Sequence, residues 1–569
     1  MKQPLIVLSI ILALQACGTQ QDRQAGTTSQ PQAQTLPTPG PLTRPAVPVA
    51  PLEDSEADAS MAAAPTGAGK ERKMAREALA YRVQAASGSM AQDMSLLPPT
   101  LVDRENYNSF DDNPLRRAAE HPVSTFSIDV DTGAYANVRR FLNQGHLPNR
   151  HAVRVEEMIN YFAYDYPAPQ DKSRPFNVIT EIAPAPWNTD NLLLHVGLKG
   201  YQLDQHQLPP ANLVFLVDVS GSMQSTDKLP LLKSGLQMLV RQMDAQDRIS
   251  LVVYAGASGV VLEPTPGDQH AKINRALQAL TAGGSTNGAA GIQLAYQMAQ
   301  QGFIKDGINR IILATDGDFN VGTTNFESLK QRVEQYRKEG VALTTLGFGT
   351  GNYNDHLMEQ LADSGNGNYA YIDNLNEARK VLVEQMGATL NTIASDVKIQ
   401  IEFNPSVVAE YRLIGYENRQ LKREDFNNDK VDAGEIGAGH SVTALYEISL
   451  QGSAGQRLDP LRYSTAQAAT QKTSELGLLR LRYKPAVGAK SQLMEQVIAR
   501  PEVDQLKTSD NFRFAAAVAA FGQQLRGGQY LNQFAYDDIL QLARSARGDD
   551  HFGYRGEFLQ LVALAKTLN

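Results

Sequence analysis

From Asn212 to about Asn391, short apolar runs alternate with longer amphipathic stretches. Leu213–Val217, Ile249–Tyr254, Arg310–Ala314 and Ala342–Phe348 are nearly continuous in apolar residues, the pattern of strands covered on both faces. Between them, Leu229–Met243 sets Leu232, Leu236, Leu239, Val240 and Met243 at helical spacing. Ala289–Ala299, Leu329–Tyr336 and His356–Leu361 read as further helices. Strands alternating with helices predict a doubly wound, Rossmann-like α/β domain over residues 206–390. Its sheet is expected to be mostly parallel, with helices on both faces.

The flanks follow other periods. In residues 105–205, Thr125–Val130 alternates like a strand, and Asp131 or Thr132 is placed to cap a helix bearing Tyr135, Val138, Phe141 and Leu142. A second helix is expected over Val153–Tyr161. Asn177–Ile182 and Leu192–Leu198 read as strands around a Pro-containing turn that holds the single tryptophan, Trp187. This makes an α+β region. After residue 391 the period returns to two, with Val397, Ile399, Ile401 and Phe403 on one face. Val442, Ala444, Tyr446, Ile448 and Leu450 repeat it, as does Leu478–Tyr483, so antiparallel strands with one wet face are expected. Phe512–Leu525, Asp537–Ala543 and Phe558–Leu564 then read as helices, giving a β-rich, then helical domain over 391–569.

The N-terminus is different material. After Lys2, the apolar stretch Leu5–Leu14 is shorter than the roughly 20 residues a bilayer span needs. It fits the apolar core of a secretory signal peptide over residues 1–16. Leu14–Cys17 resembles the lipobox of bacterial lipoproteins, which implies that Cys17 is lipidated and becomes the first mature residue. Cys17 is the one cysteine of 569 residues, so an exported chain has no internal disulfide to form. Gly18 after the cysteine, in place of an acid, implies sorting to the outer membrane in a Gram-negative host. The expected anchor therefore holds the protein to a membrane without crossing it.

Residues 17–104 form the expected tether. Pro31, Pro37, Pro39, Pro41, Pro45, Pro48 and Pro51 lie among Gln, Thr and Ala, a composition that buries too little apolar surface to offset chain entropy. A flexible tether of that length reaches on the order of 50 Å. Within it, Lys70–Ala86 is basic and rich in helix formers, with Met74, Leu79 and Val83 as a thin apolar face for solvent or a membrane surface. The net charge of −8 argues against nucleic acid, which basic patches bind. At 42% hydrophobic and 20% charged residues, the remainder is ordinary globular material.

Chemistry concentrates at the end of the first α/β strand. In Phe215–Met223, Asp218, Ser220 and Ser222 lie two residues apart, and side chains at that spacing converge on one side of an extended segment. Oxygen donors of mixed charge suit Mg²⁺, with Mn²⁺ or Ca²⁺ as alternatives. Gly283–Asn287 opens a helix and offers Thr286, while Leu313–Gly317 ends a later strand in Asp316. Ligands of doubly wound sheets bind at such strand ends. These residues together resemble the von Willebrand factor type A (VWA) domain and its metal-ion-dependent adhesion site (MIDAS). The resemblance implies Ser220, Ser222 and Thr286 as direct ligands, and Asp218 and Asp316 acting through water or by orienting hydroxyls. It further implies an open position for a partner's Asp or Glu carboxylate. Ser124–Asp131, Ala134–Phe141 and Arg154–Phe162 extend the likeness to bacterial lipoproteins in which an associated N-terminal region and a C-terminal domain of unknown function flank a VWA domain.

Other candidates are weaker. Asp425–Glu435 has the acids of a calcium loop, but Lys430 and Ile436 stand where an EF-hand needs Gly and Glu, so a polar hairpin loop is the better reading beside a non-EF calcium site. Gly439–Thr443 lacks the closing glycine of a nucleophile elbow. The nine histidines show no zinc pattern. Asp129 and Asp131 are open as ligands, with a strand-end acid and helix cap the better reading. The chain is therefore expected to be a membrane-anchored binding protein and not an enzyme, its metal site gripping a protein or glycan carboxylate. The alternatives are an envelope assembly factor working with an AAA+ or secretion machine, and a metal-dependent hydrolase.

Overall fold

The computed structural model describes residues 105–569, apart from 172, 204–207, 286–287, 318–325, 460, 463–471, 486–488 and 502–507. The expected signal peptide, Cys17, the tether and Thr286 lie outside the described residues. Pro99–Asn569 make one compact unit.

Sixteen strands occur in the described residues: β1 Arg116–Arg117, β2 Val123–Ser127, β3 Phe176–Ala185, β4 Asn188–Gly200, β5 Ala211–Asp218, β6 Arg248–Tyr254, β7 Ser258–Pro266, β8 Ile308–Thr315, β9 Ala342–Phe348, β10 Tyr369–Ile372, β11 Thr392–Phe403, β12 Val408–Ile414, β13 Gly434–Gly437, β14 Ser441–Leu450, β15 Glu475–Lys484 and β16 Gln492–Ala499. The central sheet runs β10-β9-β8-β5-β6-β7, parallel throughout except for the antiparallel edge strand β7. β5 shows why it lies in the middle. Leu213, Phe215 and Val217 enter one core, while Val214 and Leu216 enter another on the opposite face. A strand apolar on both faces has nowhere to go but between two layers of helices. Those layers include Leu229–Val240 and His270–Gln278, which bury side chains in the first core, and Gly288–Gln301 and Phe326–Lys338, which bury theirs in the second.

Two antiparallel sheets surround this domain in sequence. One runs β1-β12-β14-β4-β3, the other β13-β11-β15-β16 with β2 on β11. Both draw on residues before and after the central domain: Leu194 pairs with Tyr446, and Phe126 with Ile399. Their inner faces share one core, in which Val196, Leu198, Ala444 and Ile448 meet Ile399, Ile401, Leu479 and Leu481.

The expected wet face holds for β15; it fails for β11, where Lys398 and Gln400 are buried, and for β14, which is buried along nearly its whole length. For β14 the reason is a helical layer. Gly133–Asn143, Val155–Asn160, Asp510–Leu525, Tyr536–Ser545 and Tyr554–Leu568 form a core that covers Leu193 and Leu445 on the outer side of that sheet. The cap assigned to Asp131 or Thr132 is also corrected. Thr132 occupies the cap position without a side-chain hydrogen bond, and the Asp131 carboxylate accepts from the Tyr369 amide at 2.8 Å. β7, β10 and the helix His270–Gln278 were not foreseen; the helix buries only Ile273 and Leu277, too thin an apolar face to stand out. Among the described residues, no helix is long and apolar enough to cross a membrane.

Candidate metal centre

β5 and β8 are adjacent and parallel, so their carboxyl ends deliver Asp218 and Thr315–Asp316 to the same edge of the sheet. Asp218 is fully buried and tied down on both oxygens. Oδ1 accepts from the Ser220 amide at 2.8 Å, and Oδ2 accepts from the Thr315 hydroxyl at 2.9 Å. The first bond turns the chain just past the strand, so Ser220 and Ser222 both face the site. Their hydroxyl oxygens lie 3.0 Å apart. Cis ligands of an octahedral Mg²⁺, with bonds of about 2.0–2.1 Å, lie about 2.9 Å apart, so the two hydroxyls fit neighbouring positions on one ion. Ser220 is buried and Ser222 exposed, so the hydroxyl pair leads from the interior to solvent.

The glycine loop is hydrogen-bonded to this turn. The Gly283 amide donates to the Val219 carbonyl at 2.7 Å, and the Gly221 amide to the Gly284 carbonyl at 3.0 Å. Gly284 has φ +89°, a left-handed conformation that glycine adopts without strain. Gly283 and Gly284 are thereby held beside Ser220 and Ser222; Thr286 lies outside the described residues.

Burial pushes the Asp218 carboxyl up to about 6; the Ser220 bonds oppose that rise and the charge of Asp316 adds to it. Tyr254, at the end of β6, is kept protonated by burial and by the same Asp218 charge. Asp316 is fully buried and accepts from the Lys228 ammonium at 2.9 Å. Sequence reasoning missed Lys228, Thr315 and Tyr254. Thr315 was next to a recognised acid, but only the β5–β8 pairing shows its use.

A second acidic group lies elsewhere. Carboxyl oxygens of Asp129, Glu157 and Glu359 fall within 4.8 Å of one another, all three buried. Each already faces a guanidinium: Arg154 bonds Glu157 and Asp355, and Arg419 bonds Asp129, Asp131, Glu359 and Asp363. It is an ion-pair network joining residues from before, within and after the central domain. Asp129 and Asp131 belong to it. The loop 425–435 is spread differently: Asp432 pairs with Arg337, and the Asp425 and Asn428 carbonyls accept from Lys398. Its acids form no metal-sized group among the described residues.

A doubly wound sheet with an Asp-x-Ser-x-Ser turn at its carboxyl edge defines a VWA protein, and comparisons with known proteins agree. Residues 212–385 match the von Willebrand factor type A domain, residues 101–195 match a von Willebrand factor region, and residues 388–568 match the C-terminal domain described as uncharacterized protein YfbK, C-terminal. The chain belongs to the bacterial VWA-domain proteins that include the uncharacterized protein YfbK of Escherichia coli K12. It is 51% identical to that protein over 467 residues, covering 81% of this chain and 80% of the relative. The uncharacterized protein sll0103 of Synechocystis is 29% identical over 225 residues, 39% of this chain and 51% of the relative. The magnesium-chelatase 60 kDa subunit of Rhodobacter capsulatus is 32% identical over 148 residues, 25% of this chain and 26% of the relative. Among solved structures, von Willebrand factor type A from Catenulispora acidiphila is similar at 16% identity and a TM-score of 0.38, covering 67% of this chain and 89% of that one. VWA domains as a class support roles in protein interaction.

Proposed function

We propose that this protein is a membrane-anchored lipoprotein that binds a protein or glycan partner through a divalent metal, with Mg²⁺ the best fit. The observation that carries the reading is the 3.0 Å approach of the Ser220 and Ser222 hydroxyls above a buried, doubly bonded Asp218. Ser220, Ser222 and Thr286 would hold the ion, with Asp218 and Asp316 orienting them. Bound there, the metal would supply an electropositive centre for an incoming Asp or Glu carboxylate. Asp218 is committed to positioning Ser220 and to Thr315, so it is a scaffold and not a base. The reading is one of binding, not catalysis.

A second reading, an assembly factor within a larger machine, is favoured by the likeness to a magnesium-chelatase subunit. It shares the metal site and differs only in the partner.

The test is thermal unfolding of the soluble body in Mg²⁺ against chelator. The parent protein should melt higher with Mg²⁺, and Asp218→Ala should lose that difference. Equal melting temperatures for the parent in both conditions would overturn the metal reading.

A further inference from the structure

We infer that Lys228 is a built-in counter-cation that competes with the ion's bound water and hydroxyls for Asp316 and so sets the Mg²⁺ concentration at which the site loads. The inference rests on the metal-site reading above.

Lys228 immediately precedes the helix Leu229–Val240, and only 7% of it is exposed. Its ammonium donates to Asp316 Oδ2 at 2.9 Å. An ammonium taken this far from water needs an anion beside it, and Asp316 supplies one. The route to that anion is shaped for the side chain. The stem crosses Gly349, just past the end of β9, where a β-carbon would collide with Lys228 Cγ, Cδ and Cε. Gly349 has φ +72° and its carbonyl accepts from the Tyr371 hydroxyl at 2.5 Å, so the passage is fixed by backbone and by a buried donor.

The charges then conflict. Asp218 and Asp316 are close enough for the charge of one to raise the pKa of the other, and Lys228 offsets one of them. A divalent ion entering beside this pair meets an ammonium already seated on the carboxylate that is to orient its ligands. Like charges at such range repel strongly in a buried site. Freeing Asp316 for that role pushes the ammonium off it, and the cost of that displacement weakens apparent metal affinity. The same displacement turns Lys228 from a buried side chain into a reactive one.

Two measurements test this with Mg²⁺ alone as the probe. The first is the Mg²⁺ midpoint of the thermal-stability increase in the parent, Lys228→Met and Lys228→Gln. The midpoint should fall at least tenfold in either variant. Gln fills the same path and still donates to Asp316, which guards against a variant that does not fold. The second needs no variant. Amine-reactive labelling of the parent, read by mass spectrometry, should modify Lys228 several-fold more in Mg²⁺ than in chelator. A parent that responds to Mg²⁺ while the variants keep or raise its midpoint, or while Lys228 labelling stays flat, overturns the inference and leaves the metal site standing. A parent and variants that all ignore Mg²⁺ overturn both.

Discussion

Thr315 Oγ1 donates to Asp218 Oδ2 at 2.9 Å, so a hydroxyl from the end of β8 fixes a carboxylate at the end of β5. Thr315→Val keeps the shape and removes the donor, leaving a fully buried carboxylate oxygen short of a partner. The expected loss is about 1–3 kcal/mol of stability, read by urea unfolding in chelator. The Mg²⁺-dependent gain in melting temperature should shrink as well, since Asp218 then loses one of the bonds that fix it. An unaltered urea midpoint would contradict the role given to Thr315.

Arg154 reaches from the start of the helix Val155–Asn160 to Asp355 on the helix Asp355–Ser364, at 2.5 Å, with both side chains almost wholly buried. Arg154→Met leaves Asp355 and Glu157 without their cation. Breaking a buried pair from one side costs about 3–5 kcal/mol, enough to be obvious in chemical denaturation. Adding Asp355→Asn should recover part of the loss, because the orphaned charge is gone. Simple additivity of the two changes would argue that the pair is not coupled.

Buried carboxyls in and beside that network predict how stability depends on pH. Burial pushes Glu156, Glu157 and Glu359 up to about 8, 7 and 8 from an ordinary value of 4.5. Between those values the folded chain keeps protons that the unfolded chain releases, so stability falls as pH rises from about 4.5 to 8. His195 and His440, pushed down to about 4 by burial from an ordinary 6.5, act at lower pH, where their contribution is lost as pH falls from 6.5 through 4. Lys380, pushed down to about 7 by burial, opposes the carboxyls above that pH, one group against the two, Glu156 and Glu359, that still hold protons there. Unfolding free energy should therefore drop between pH 6.5 and 8, and Glu359→Gln should flatten that drop. A level or rising curve over this interval would refute the assignment.

The lipobox reading is tested apart from the fold. Cys17→Ser should move the full-length protein from the membrane fraction to the soluble one on detergent phase separation. Retention in the detergent phase would remove the anchor from the proposed function.

What was legible in the sequence was whatever depends on neighbours in the chain. β5 carries apolar residues on both faces, and period two alone sorts Leu213 from Val214 into different cores. Asp218, Ser220 and Ser222 act from within one turn, so their spacing carries most of their geometry. Lys228 enters the same site from another element by way of Gly349, and nothing local announces that path. Asp131 looked like a helix cap because its real partners, the Tyr369 amide and Arg419, stand far along the chain. β10 is only four residues long, and its place is fixed by pairing with β9, too little for a pattern to declare itself.

The pairing of β4 with β14 and of β2 with β11 bears on the order of events during folding. Strands made early in synthesis must wait for partners made after the whole central domain has been translated. The central domain supplies all six strands of its own sheet and is able to form first, whereas the outer sheets close only when the chain is nearly finished. Until then β4, apolar over much of its length, is paired only with β3 and has an open edge and no cover. A chain cut off between Leu390 and Ser441 would keep the central sheet intact and still present the open edge of that strand to every passing chaperone and protease.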